Sequence, residues 1–288
     1  MANSQQQTLL RLASHGISVY SPHTAVDSAP GGLGDWLADI VTGTKTSFQR
    51  EAEEGDVAQT PSEKHAHQDE GDPFVEKSLR PPLFTLAHHP SQTILNLDRL
   101  LSSSPTTTSV PHTRRPVVPQ SPELASHPGA GMGRIVNFKT PQPLTTLLDR
   151  IGKGLNNPKG FPIAIPQDAS LSDLEISSVG ICAGSGGSLL SNLDVDLLFT
   201  GEMSHHEALA AIEKGQVVIN LFHSNSERGF LSEVLLGQLE EAVEEEWSTI
   251  REQEAGDELL KDALSEVDLD VVVSEVDRDP YGIVILNE

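Results

Sequence analysis

The segment from about residue 46 to residue 128 limits what this chain can fold into more than any other feature. It holds 11 of the 19 prolines and only 2 of the 23 glycines, and much of the remainder is Ser, Thr, Glu and Gln. Such a stretch buries too little apolar surface to offset its ordering entropy, so it is expected to be disordered and cannot run through a core. A folded body must then be assembled from residues 1 to 45 and 129 to 288. The same segment carries six of the eleven histidines, at positions 65, 67, 88, 89, 112 and 127.

On either side, short apolar runs alternate with helical periodicity. SQQQTLLRLASH (residues 4 to 15) places Leu9, Leu10, Leu12 and Ala13 at roughly helical spacing, and Gly16 can close that helix before a first strand containing Ile17, Val19 and Tyr20. Pro30, Gly31 and Gly32 make a turn, after which DWLADIV reads as a short helix with Asp35 at its start. Beyond the insert, GAGMGRIVNF is a glycine turn running into a strand. In PLTTLLDRIGKGL, Pro143 suits a helix start and Leu144, Leu147, Leu148 and Ile151 share a face. FPIAIP reads as a strand. SSVGICAGSGGSLL, DVDLLFTGEMSHHEALAAIEKG and GQVVINLFHSNSERGFL each read as strand, turn, helix. Strands alternating with helices imply an α/β layered fold. A helix then continues through Leu235, Leu236, Leu239, Val243, Trp247 and Ile250 with an acidic outer face, and VDLDVVVSEVDRDPYGIVIL is a candidate strand pair.

Composition excludes several function classes. With 37% hydrophobic residues the chain can supply a core, and no apolar run approaches the roughly 18 residues of a membrane span. The start lacks the order of a secretory signal and the Arg-rich character of a transit peptide, which sets the expected location in the cytosol. One cysteine, Cys182, leaves no disulfide framework and no thiolate zinc cluster. A net charge of −23 argues against nucleic acid as a partner of the fold itself. Thirteen of the acids lie between Leu239 and Asp270 against only Arg251 and Lys261, a pattern usual for a solvated helix face near residues 239 to 264.

The chemistry-bearing pattern is a pair of echoes. His23 is followed four residues later by Asp27, and His223 by Glu227, each after a short apolar run. Imidazole and carboxylate together at strand exits are what a divalent-metal site requires. The plainer alternative is a polar strand-end histidine with an acid favoured by the helix dipole. Ser204 and Glu207 have the spacing of a capping box, which leaves His205 and His206, beside Glu202, open to a supporting or substrate-contacting role. CAGSGG resembles an anion cradle but has neither the P-loop lysine nor the dinucleotide glycine order. No GxSxG elbow supports a serine hydrolase, and Cys182, at the end of an apolar strand, reads as a small buried hydrophobe.

The motifs SVYSPHTAVDSAPGGLGDWLAD, GAGMGRIV, VGICAGSGG, DLLFTGEMSHHEAL, INLFHSNSERGFL and VSEVDRDPYGIVI occur in the order found in the NIF-three-like (Ngg-one-interacting factor three) family, whose bacterial members are labelled GTP cyclohydrolase I type 2, and the chain resembles that family over residues 1 to 45 and about 129 to 288. The resemblance implies an α/β fold of two related halves, a ring-like homo-hexamer, and a dinuclear site of divalent metal ions. By that resemblance His23 and Asp27 match the metal-binding HTxxD segment, and His223 and Glu227 the HSxxE segment. The family also places a His-His-Pro or Tyr-His-Pro motif at the end of an earlier strand, upstream of the helix with which this chain begins. His88-His89-Pro90 stands instead in the proline-rich segment after His23, without a strand to fix its geometry, and reads as a decoy. The N-terminal half is therefore expected to be incomplete, with weaker metal binding than in a longer relative. Two functions follow: a metal-dependent hydrolase of the cyclohydrolase or phosphoester type, or a non-enzymatic interaction protein or transcription-linked cofactor that keeps the fold and recruits protein partners.

Overall fold

The computed structural model describes residues 3–44, 108–158, 160–266, 269–277 and 279–282. Helices α1 (Ser4–Ser14), α2 (Thr24–Ser28) and α3 (Leu33–Thr42) precede strands β1 (His112–Arg115), β2 (Val118–Pro119), β3 (Gly131–Met132) and β4 (Arg134–Pro143). Then come α4 (Leu144–Gly154), β5 (Ile163–Ala164), β6 (Glu175–Ser185), α5 (Gly187–Leu190), β7 (Leu197–Glu202), α6 (His205–Glu213) and β8 (Val217–Asn220). A short helix α7 (Arg228–Phe230) leads through a π-helical turn, Leu231–Leu235, into the long α8 (Leu236–Gln253), and α9 (Lys261–Leu264) follows.

Six strands form one mixed sheet in the order β1-β4-β6-β7-β8-β5, with β6, β7 and β8 parallel and the remaining neighbours antiparallel. β2 and β3 make a separate small ribbon. Because side chains alternate across a strand, each strand feeds two cores. Val136, Phe138, Val179, Ile181, Leu197, Phe199, Val217 and Ile219 pack on one face with Trp36, Leu37 and Val41 of α3 and Leu144, Leu147, Leu148 and Ile151 of α4. Ile135, Cys182, Leu198 and Val218 pack on the other with Leu190 and with Ala211 of α6. The α/β layering read from the alternation of periods is borne out, and so is the apolar face of the helix after Pro143.

Helix α3 lies inside the first of these cores, so the segment before the insert packs on the sheet that follows it. Two expectations are corrected. The boundary at residue 128 falls too late: β1 pairs with β4 across His112↔Phe138 to Arg115↔Ile135, and β2 pairs with β3. Pro111, Pro116 and Pro119 are compatible with this because β1 is an edge strand and the prolines flank its ladder or end the two-residue β2. Residues 45 to 107, including His88-His89-Pro90, lie outside the described residues. The strand expected at Ile17, Val19 and Tyr20 is absent as well. The segment is extended but has no sheet partner, and those three side chains are exposed, as are Leu9 and Leu10 of α1. An extended segment becomes a strand only when a neighbour accepts its backbone hydrogen bonds, and among the described residues no ladder includes it.

The remaining local readings divide similarly. Gly16 closes α1 with φ +71, its N–H donating to Ala13. Helix α3 begins two residues before Asp35, which sits in its first turn and accepts the Gly31 N–H at 2.9 Å. No residue of α8 is buried, so its apolar stripe is at best half covered and its acidic face is solvated. No strand forms in residues 269–277 or 279–282, and the second arm of the expected pair lies outside the described residues. Among the described residues no helix is long and apolar enough to cross a membrane.

Candidate metal-binding cleft

Parallel strands β6, β7 and β8 point the same way, so their carboxyl ends meet at one edge of the sheet, where open α/β sheets form their crevices. Gly184 and Ser185 close β6, Glu202 closes β7, and His223 follows β8. Helix α2 brings His23 and Asp27 to the opposite wall. The result is one cleft of about 450 Å³ lined by His23, Asp27, Cys182, Gly184, His223 and Glu227. The echo in the sequence is therefore a juxtaposition in space. Each histidine immediately precedes a helical turn, His23 before α2 and His223 before the 3-10 turn Ser224–Ser226, and each acid sits one turn further on.

Both turns begin with backbone that L-residues seldom adopt: His23 has φ +44 and Phe222 φ +67. Local strain of this kind persists where surrounding structure over-determines it, and it gathers at functional sites. The strand-end reading holds for His223 and is corrected for His23, which enters α2 from the unpaired segment.

His223 is held from both sides. Its Nδ1 is 2.9 Å from Glu202 Oε2 and its Nε2 is 3.5 Å from Glu227 Oε1. An ionised carboxylate only accepts, so Glu202 assigns the ring proton to Nδ1 and leaves Nε2 facing the cleft. That hydrogen bond raises the imidazole above its usual value, against the opposing effect of burial and helped by Glu227, Glu202 and Asp279. Burial pushes the Asp27 carboxyl up, moderated by His23 and His223. Burial likewise raises Glu227, with His223 lowering it and Asp27 raising it. The Cys182 thiol is pushed up to about 11 by burial and by those same two carboxylates, so it is a neutral wall of the cleft, not a nucleophile.

Two carboxylates driven toward their protonated forms by burial, Glu227 also by the Asp27 charge, and faced by two imidazoles are a donor set suited to a divalent cation. Gly184 leaves these donors room on the strand side: a Cβ there would stand 2.8 Å from Glu227 Oε1 and 2.9 Å from His223 Nε2, and this residue has φ +59. Only a glycine leaves those two donors their space. Among the described residues no three His, Cys, Asp or Glu side chains are yet gathered at ligating distance. The four donors line one cleft from two walls without closing on a common point.

The supporting residues divide likewise. Glu202 is where a supporting contact was expected. His205 and His206 are exposed at the start of α6, with ring centroids 5.4 Å apart, and are not among the residues lining the cleft. Ser204 and Glu207 form the capping box in full, which lowers the Glu207 carboxyl through its hydrogen bonds with Ser204. Several contacts escaped the sequence reading. Ser226 is fully buried between Gly184 and His223. Asp279 accepts from the Ser224 N–H at 3.2 Å and its hydroxyl at 2.6 Å, and Asp277 pairs with Arg228 at 2.8 Å. The available signals were the run of small polar residues inside HSNSE and the acids of DRDPYG, which lie within the candidate strand pair.

Comparison with known proteins places the chain in a family. The family model described as Duf34/NIF3 (NGG1p interacting factor 3) matches residues 1–255. The Protein NIF3 homolog of Schizosaccharomyces pombe is 31% identical over 280 residues, covering 97% of this chain and 69% of that protein. NGG1-interacting factor 3 of Saccharomyces cerevisiae is 30% identical, covering 83% of this chain and 61% of its own length. The chain thus spans about two thirds of these relatives. In fold it resembles the crystal structure of Staphylococcus aureus protein SA1388, with TM-score 0.51, 16% identity, and coverage of 99% of this chain and 75% of the other. Motif order and these matches converge, and the chain belongs to the Duf34/NIF3 family.

Proposed function

We propose that this chain is a divalent-metal-binding protein whose cleft supports hydrolysis, with His23 and Asp27 on one wall and His223 and Glu227 on the other as the metal-holding residues. The observation that carries the reading is the placement of two matching histidine-acid turns across a single cleft at the carboxyl ends of the parallel strands. A divalent cation bound there would supply Lewis-acid polarisation and a more acidic water. Glu202 orients His223 by holding its Nδ1 proton. The half-buried Asp27 and Glu227 hold negative charge where it is costly without a cation, and their raised affinity for protons suits either of them to accept one from water. Val26, Leu33, Met132, Phe230 and Leu231 give the cleft an apolar wall beside these donors, a seat for the uncharged part of a substrate of the cyclohydrolase or phosphoester type. The proposal includes a homo-oligomer in the cytosol, the latter supported by the single unpaired thiol.

Metal analysis of the purified chain, followed by a panel of nucleotides and phosphoesters with and without divalent cation, tests this. Stoichiometric metal that is lost in His223→Ala, with turnover lost in Glu227→Gln, is the expected result. Occupancy indifferent to His223→Ala refutes the site. A second reading, an interaction protein without turnover, is favoured by the solvated acidic face of α8 and by the name of the budding-yeast relative as an interacting factor. A metal-loaded chain inert toward the whole panel would select it.

A further inference from the structure

The buried hydroxyls behind the cleft do more than fill space. Ser226 and Thr200 are both fully buried. The Ser226 hydroxyl accepts the Gly184 N–H at 2.8 Å and donates to the His223 carbonyl at 2.6 Å. The Thr200 hydroxyl donates to the Gly184 carbonyl at 3.2 Å. Gly184 is therefore gripped through both its peptide groups while it holds a left-handed conformation, and its Cα side faces Glu227 Oε1 and His223 Nε2 directly. Gly201 completes the fit, since a Cβ there would stand 2.6 Å from the Ser226 hydroxyl and 2.7 Å from the Gly184 carbonyl.

We infer that Ser226 and Thr200 are positioning residues of the cleft: by pinning Gly184 against the His223–Glu227 pair they set the separation and direction of those two donors. The link is a closed loop of contacts running from the His223 carbonyl through Ser226 to Gly184 and back, across space, to the His223 ring. Gly184 sits where the β6–β7 ladder shifts register, between Cys182↔Thr200 and Ser185↔Glu202, so the hydroxyls supply the restraint that the ladder lacks there; without them the two donors gain freedom that a metal must remove on binding. The inference rests on the metal-site reading proposed above and adds residues that would never touch the ion.

The test uses the full chain, with Zn²⁺ affinity measured by competition against a chromophoric chelator and the thermal midpoint measured separately in EDTA. Ser226→Ala and the isosteric Thr200→Val should each weaken Zn²⁺ binding at least tenfold at unchanged stoichiometry, and Thr200→Ser, which keeps the hydroxyl, should stay within twofold of wild type. A merely structural role predicts a lower midpoint in EDTA with Zn²⁺ affinity unmoved, and that result, in Thr200→Val or Ser226→Ala, overturns the inference while leaving the metal site intact. Wild-type protein that takes up no Zn²⁺ overturns the metal-site reading and this inference together.

Discussion

Removing the Arg134 side chain with Arg134→Met offers the sharpest test of how the cleft's second wall is held in place. Arg134 is 2% exposed and makes five contacts: Nε and Nη2 to the two oxygens of Asp35 at 2.8 Å each, Nη1 to the carbonyls of Gly131 at 2.6 Å and Gly133 at 2.8 Å, and Nη2 to the carbonyl of Ala29 at 3.2 Å. Ala29 directly follows α2, so this guanidinium ties the exit of the helix carrying Asp27 to the start of β4. Breaking a buried ion pair from one side costs about 3–5 kcal/mol, because the partner charge and the carbonyls are left without a donor. Asp35 would retain Arg114 Nη1 at 3.1 Å and the Gly31 N–H at 2.9 Å, which places the expectation at the low end, about 3 kcal/mol. With a urea slope of about 1–3 kcal/mol/M, the midpoint of equilibrium unfolding should fall by about 1–3 M. Because the two residues share one network, Arg134→Met with Asp35→Asn should cost less than the sum of the single changes, by about 0.5–3 kcal/mol. A midpoint shift of only a few tenths molar for Arg134→Met, or strict additivity in the double variant, would refute the reasoning.

Three further outcomes follow from the same structure. In metal-free protein, Asp27→Asn and Glu227→Gln should each raise the thermal midpoint at pH 7: both carboxyls have folded-state values raised by burial, so their ionisation removes stability as pH rises through those values, and the amides escape the penalty. Asp35 behaves oppositely. Burial works to raise it, but the Arg134 guanidinium, with Arg114 and the Gly31 N–H, more than offsets this and holds it below the usual value. Its stabilisation is present above about pH 4 and lost as pH falls toward the depressed value, so Asp35→Asn should flatten the loss of stability in acid unfolding curves below about pH 4. Ser204→Ala removes the cap of α6 and should cost about 1 kcal/mol in urea unfolding while leaving Zn²⁺ uptake unchanged, which separates the helix start from the cleft.

The parts legible in the sequence were those governed by short-range rules. The short apolar run Val217 to Ile219, the leucine face of α4 and the Ser204–Glu207 spacing each report a local geometry that survives unchanged in the fold, because neighbours a few residues apart decide it. The histidine-acid echo at residues 23, 27, 223 and 227 was legible for the same reason, as two similar turns. Their meeting across one cleft was not. It depends on β6, β7 and β8 running parallel, pairings between residues 17 to 20 positions apart, and on Arg134 anchoring the exit of α2 from about a hundred positions away. Ile17, Val19 and Tyr20 carry the apolar character of a strand, yet strand formation requires a partner edge, which no local pattern supplies. His112 to Arg115 sit among prolines in the segment expected to be disordered, yet they pair with β4 because an edge strand needs hydrogen bonds on one side only. The sequence by itself determined the alternation of elements and the identity of the four candidate donors. Tertiary structure alone decided that Gly184, Ser226 and Thr200 stand behind two of them, since a buried hydroxyl's role is defined by the distant backbone groups it reaches.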